Sequence, residues 1–137
     1  MTISGRCLCG AVQVSISAAP LAARVCWCRL CQYLGSGNGT VSVCFPAISV
    51  SVLGDVRWYQ NVADSGNRML RGFCPRCGTP MFSKADVRPH IIFVRMGVLD
   101  DPNLLGPQMT IWTDAAPNWA IFDPALPIIP GQPPPVA

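Results

Sequence analysis

Seven of the eight cysteines fall into three tight clusters. Cys7-Leu8-Cys9 is followed by Gly10, and Cys74-Pro75-Arg76-Cys77 by Gly78. Between them stands Cys26-Trp27-Cys28-Arg29-Leu30-Cys31. Closely spaced cysteines chelate metal as thiolates, and zinc is the usual ion for sulfur sets of this size. Cys7, Cys9, Cys74 and Cys77 together supply four sulfurs, the count of a closed tetrahedral structural site. A glycine after each pair lets the backbone turn tightly and aim N–H groups at the sulfurs. Cys26, Cys28 and Cys31 supply only three, the count of a catalytic zinc site with one position left for water or a substrate thiol. A metal at such a position lowers the pKa of what it binds. A fourth protein ligand would close that site instead. The candidates are Cys44, the one cysteine outside the clusters, and His90, the one histidine. Cys44 reads first as a buried small residue and only after that as a fourth ligand or a reactive thiol nearby, and His90 reads first as a surface or turn residue.

Clustered cysteines are ligands only where they stay reduced. The segment Met1 to Arg6 has no apolar core of a leader peptide and reaches Cys7 at once. There is no run of 18 apolar residues either, so a cytoplasmic protein without a membrane span is expected. The formal charge is +3, but four thiolates on one divalent ion leave −2 and three on another leave −1. The total then falls to about zero. No run of basic residues accompanies the cysteines, so a zinc-ribbon nucleic-acid binder is the poorer reading and no nucleic-acid partner is expected. Only 12% of residues are charged and half are hydrophobic. That balance implies a covered surface, as in a homodimer, or a cleft lined by apolar side chains.

The elements that must position these ligands read as strands. Ala11 to Ser17 places Val12, Val14 and Ile16 on one face, and Val41, Val43 and Phe45 alternate with Ser42 and Cys44. Ile48, Val50 and Val52 alternate with serines, and Gly54-Asp55 then leads into Val56 to Gln60, which predicts a hairpin. Met69–Phe73 and Ile91–Met96 are further strands, and the one helical turn expected is Arg29–Leu34. Six of the fourteen prolines lie in 124–137, which predicts an extended strap or frayed end after a single zinc-binding domain over 1–123. The fold class is mainly β with little helix, held by metal.

The order C-x-C-G, C-x-C-x-x-C-Q, then Phe73-Cys74-Pro75-Arg76-Cys77-Gly78-Thr79-Pro80-Met81-Phe82 resembles the glutathione-dependent formaldehyde-activating enzyme family. Val98 to Pro102 and the late Trp112…Pro117-Asn118-Trp119 support the resemblance, which covers residues 3 to 131. It implies a tent-like fold of twisted, mainly antiparallel sheets with two zinc ions. One is structural, on Cys7, Cys9, Cys74 and Cys77, and one functional, on Cys26, Cys28 and Cys31. The implied activity is carbon–sulfur lyase chemistry, joining formaldehyde and glutathione as S-(hydroxymethyl)glutathione. Arg29, inside the middle cluster, is then the first candidate to hold a glutathione carboxylate, with Arg24, Arg71 and Arg76 as others. Trp27 stands where the family commonly has histidine. A residue between two ligands points away from the metal, so zinc binding is expected to survive, and Trp27→His to raise turnover. A second reading is a zinc-stabilised thiol-binding or protein-interaction module without turnover, with Trp58, Trp112 and Trp119 as its candidate exposed aromatics.

Overall fold

A computed structural model describes residues 2–137. Its strands are β1 (Ile3–Arg6), β2 (Gln13–Ile16), β3 (Ala22–Cys26), β4 (Thr40–Pro46), β5 (Val50–Leu53) and β6 (Arg57–Val62). They continue with β7 (Arg68–Phe73), β8 (Pro80–Ala85), β9 (Ile91–Arg95), β10 (Thr110–Ile111) and β11 (Ile128–Ile129), and the one α-helix is α1 (Arg29–Leu34). Two sheets result. The small one has the order β1-β2-β5, and the large one β11-β10-β3-β4-β9-β8-β7-β6. Pairing is antiparallel except where β10 lies parallel to β3 and to β11.

The core lies between the sheets. Val12, Val14 and Ile16, predicted on one face, are all buried, and they meet Val43, Phe45 and Val94 from the large sheet. Period-two alternation sends each strand's odd and even residues to opposite faces, so the other face of the large sheet carries a separate row. On it Arg24 pairs with Ser42, Ser42 with Arg95, and Arg71 with Ser83. That second face is the floor of the site.

The predicted hairpin around Gly54-Asp55 is not formed. Val50–Leu53 pairs with β2 in the small sheet, while Arg57–Val62 pairs with β7 at the edge of the large one. The turn residues thus mark a crossing between layers, where local alternation cannot distinguish one partner strand from another. Ile48 sits in a short 3-10 turn, Ala47–Ser49, and is almost wholly exposed. The proline-rich tail is anchored. The Thr110 amide donates to Pro127 O at 3.0 Å and the Trp112 amide to Gly131 O at 3.3 Å. No helix among the described residues is long and apolar enough to cross a membrane.

Candidate functional site

The β1–β2 turn and the β7–β8 turn come together although they are far apart in sequence. The Gly10 amide donates to Cys7 O at 3.1 Å and the Gly78 amide to Cys74 O at 2.8 Å. Both glycines are left-handed, with φ of 81° and 78°, a conformation that favours glycine. These twin turns bring the sulfurs of Cys7, Cys9, Cys74 and Cys77 within 4.8 Å of one another. Cys7 Sγ lies 3.6 Å from Cys9 Sγ, and Cys9 Sγ 3.8 Å from Cys74 Sγ. Four sulfurs about 2.3 Å from a zinc ion stand about 3.8 Å apart, so this set fits a tetrahedrally held ion. Backbone N–H groups of Val12, Arg76 and Cys77 reach the sulfurs at 3.3–3.5 Å, as expected of groups that stabilise bound thiolates. The Thr79 hydroxyl, 3.1 Å from Cys77 Sγ, holds that thiol below its ordinary pKa.

The second set is assembled at the end of β3. Cys26 closes the strand, Cys28 caps α1 and Cys31 lies in its first turn. The Cys31 amide donates to Cys28 Sγ at 3.4 Å. The three sulfurs again lie within 4.8 Å of one another, and among the described residues no other Cys, His, Asp or Glu joins them. Cys31 is pushed well down the thiol scale, first by hydrogen bonds from Cys26 and Cys28, with further help from the Thr40 hydroxyl and the Arg95 charge. Cys26 is pushed up by the same sharing.

Both fourth-ligand candidates lie elsewhere. Cys44 is fully buried and belongs to neither set. Burial pushes its thiol up to about 11, against the opposing charges of Arg24 and Arg88. His90 is exposed in the β8–β9 turn, where its carbonyl accepts from the Ala47 amide at 2.8 Å.

Cys26, Cys28 and Cys31 open onto a cleft of about 130 Å³. Arg24, Arg71, Arg88 and Arg95 line it, with Asp64 the one acid among the lining residues. Phe93, Met69 and Ile111 give it apolar surface. The tail closes one side through Gln132, Pro135 and Val136, and the Trp112 indole N–H donates to Gln132 Oε1 at 2.9 Å. Of the arginines singled out from the sequence, Arg24 and Arg71 stand in this cleft. Arg29 is exposed outside its lining, bonded to Gln32 and stacked over the Tyr33 ring at 5.1 Å. Arg76 belongs to the Cys74–Cys77 turn. Sequence reading missed Arg95, yet a signal was present. It ends an otherwise apolar strand, Ile91-Ile92-Phe93-Val94-Arg95, where a buried charge needs a reason. Trp27 turns its back on the cleft, packing edge-on against Trp119 and Phe122 at centroid distances of 6.2 and 5.8 Å.

Comparison with known proteins agrees with this architecture. A crystal structure of a Rhodobacter sphaeroides protein superposes with a TM-score of 0.59 at 23% identity, covering 75% of this chain and 94% of that one. At that identity the likeness is one of fold. No curated protein matches the sequence. The family model described as "Glutathione-dependent formaldehyde-activating enzyme" matches residues 2–115. With the ordered cysteine clusters and the two-sheet fold that joins them, the chain belongs to the glutathione-dependent formaldehyde-activating enzyme family.

Proposed function

We propose that this protein is a zinc-dependent carbon–sulfur lyase acting on a glutathione–aldehyde adduct of the S-(hydroxymethyl)glutathione type. The observation that carries the reading is the union of a three-sulfur set with a basic, part-apolar cleft. In this reading Cys7, Cys9, Cys74 and Cys77 hold a structural zinc, and Cys26, Cys28 and Cys31 a functional one. When bound there, zinc supplies a position that keeps a substrate thiol ionised near neutral pH. The chain's own residues do the rest. The cleft arginines attract the anionic tripeptide, and Phe93 and Ile111 exclude water beside the reacting sulfur. In the joining direction the thiol sulfur forms a bond to the aldehyde carbon, the carbonyl π pair moves to oxygen, and that oxygen takes the proton the thiol gave up. The reverse step breaks the same carbon–sulfur bond. Arg29 keeps a role only for a ligand that extends past the cleft mouth, since its guanidinium lies outside the lining.

Timed chelation with metal counting tests the assignment. The three-sulfur site lacks one protein ligand, so mild chelation is expected to leave about one zinc per folded chain. Glutathione is expected to protect the labile zinc, and Cys28→Ala to abolish that protection and the consumption of formaldehyde with glutathione. Loss of both metals together at every glutathione concentration would overturn the enzyme reading and favour a structural module. Protection without turnover would favour the thiol-binding module.

A further inference from the structure

Two buried arginines on the cleft floor have no carboxylate paired with them. Arg95 is 8% exposed and Arg71 9%. Arg95 Nη1 donates to Thr40 Oγ1 at 3.1 Å and Ser42 Oγ at 2.8 Å, while its buried Nε has no partner. Arg71 Nε donates to Asn61 Oδ1 at 3.1 Å. These hydroxyl and amide contacts fix the guanidinium planes, and the negative charge acting on Arg95 comes from the Cys31 and Cys26 sulfurs alone. The one ion pair among the described residues, Arg68 with Asp86, lies at the surface. Burial, and after it the like charge of Arg71, disfavour the Arg95 cation, while the Cys31 and Cys26 sulfurs favour it. A three-thiolate set on a divalent ion would offset one positive charge, and Asp64 a second. With four guanidiniums in the lining, the cleft keeps a net charge of about +2. A buried cation without a full counter-charge is unfavourable, so this arrangement is expected where a ligand completes it.

We infer that Arg71 and Arg95 form an anion subsite on the floor of the cleft that takes a carboxylate of the ligand. The chemistry fits a carboxylate because a guanidinium presents a planar fork that such a group matches in two parallel bonds. The edge of Arg71 not held by Asn61 is the donor on offer, and the buried Arg95 Nε, which has no partner, marks the floor as short of an acceptor. Thr40 and Ser42 set the Arg95 fork from β4, and Asn61 sets Arg71 from β6, so five neighbouring strands, β4-β9-β8-β7-β6, predefine the subsite. The inference draws on the proposed function for the identity of its ligand. Its own claim, recognition of a carboxylate, stands whether or not the cysteines turn that ligand over.

S-methylglutathione is a suitable probe, since it has both carboxylates and no thiol for a metal. Its dimethyl ester removes the carboxylates and little else. Calorimetric titration of the metal-loaded protein is expected to show the acid binding at least about tenfold more tightly than the ester. Arg71→Gln is expected to weaken the acid by about ten- to a hundredfold and leave the ester unchanged. Arg95→Lys keeps the charge and loses the fork, and is expected to weaken the acid likewise. Arg71→Gln decides the matter if the Arg95 variant fails to fold. Equal affinity of acid and ester for the unmodified protein, no binding of the acid, or an unchanged acid affinity in Arg71→Gln would each overturn the subsite. Failure of the lyase reading would look different, as carboxylate-dependent binding without turnover.

Discussion

Trp27 stands between two clustered cysteines yet faces away from the cleft they serve. Its indole is buried against Trp119 and Phe122, and its carbonyl accepts from Gln32 Nε2 at 2.8 Å. A histidine introduced there would meet an aromatic pocket rather than substrate, so the structure gives no support to a gain in turnover. Trp27→His is expected to cost about 2–4 kcal/mol through lost packing and to leave zinc content unchanged. Thermal melting with elemental analysis checks both. Cys44 permits a prediction in pH. Its folded-state pKa, about 11, lies above the ordinary thiol value of 9.0 because burial disfavours the thiolate. The folded state therefore holds this proton longer than the unfolded state does. The resulting stability is fully present below pH 9 and is lost as pH rises from about 9 to 11. Melting temperatures of the unmodified protein are expected to fall more steeply across that window than those of Cys44→Ala. Parallel slopes would show that Cys44 does not titrate as described.

At the scale of elements, the strands of the large sheet serve two purposes through their alternation. Val43 and Val94 face the core, whereas Ser42 and Arg95 face the cleft. This explains why β4 is buried on both sides although its sequence alternates. The tail is the least expected element. Proline removes amide donors, but β11 needs few of them. Its non-proline residues and the proline carbonyls suffice to pair with β10. Thr110, Trp112 and Asp114 donate their amides to Pro127, Gly131 and Pro130. Removing residues 124–137 is expected to cost about 2–4 kcal/mol, at about 1 kcal/mol per lost bond, and to open one wall of the cleft. Trp112 would lose Gln132 and Pro135 from its surroundings, so its fluorescence is expected to shift to longer wavelength. An unchanged spectrum with an unchanged melting temperature would show that the tail does not hold its place in solution.

For the whole molecule, the four-sulfur set would cross-link the two sheets once it holds a metal. It joins the end of β1 in the small sheet to the β7–β8 turn of the large one. A structural zinc in small peptides contributes about 10 kcal/mol or more, comparable to the whole stability of a domain, about 5–15 kcal/mol. Cys77→Ser is therefore expected to give insoluble or unfolded protein, whereas Cys28→Ala stays folded with one zinc fewer. A soluble Cys77→Ser protein with an unchanged melting temperature would exclude the cross-link.

The sequence by itself determined what is local. Cysteine spacing, with Gly10 and Gly78 behind it, announced the two sulfur clusters and their counts of four and three, because tight turns are built from neighbouring residues. The helical turn Arg29–Leu34 and the inward row Val12, Val14, Ile16 were legible for the same reason, since period and burial are written along one segment. What the tertiary structure alone decided is which distant surfaces face each other. Val50–Leu53 and Arg57–Val62 look like hairpin partners, but each finds a better-matched strand in a different sheet. Arg29 lies inside a ligand cluster and points outward, while Arg95, 64 positions after Cys31 in the chain, joins its cleft. Side-chain direction depends on which face of a paired strand meets the core, and pairing between remote segments is fixed only when the sheet closes.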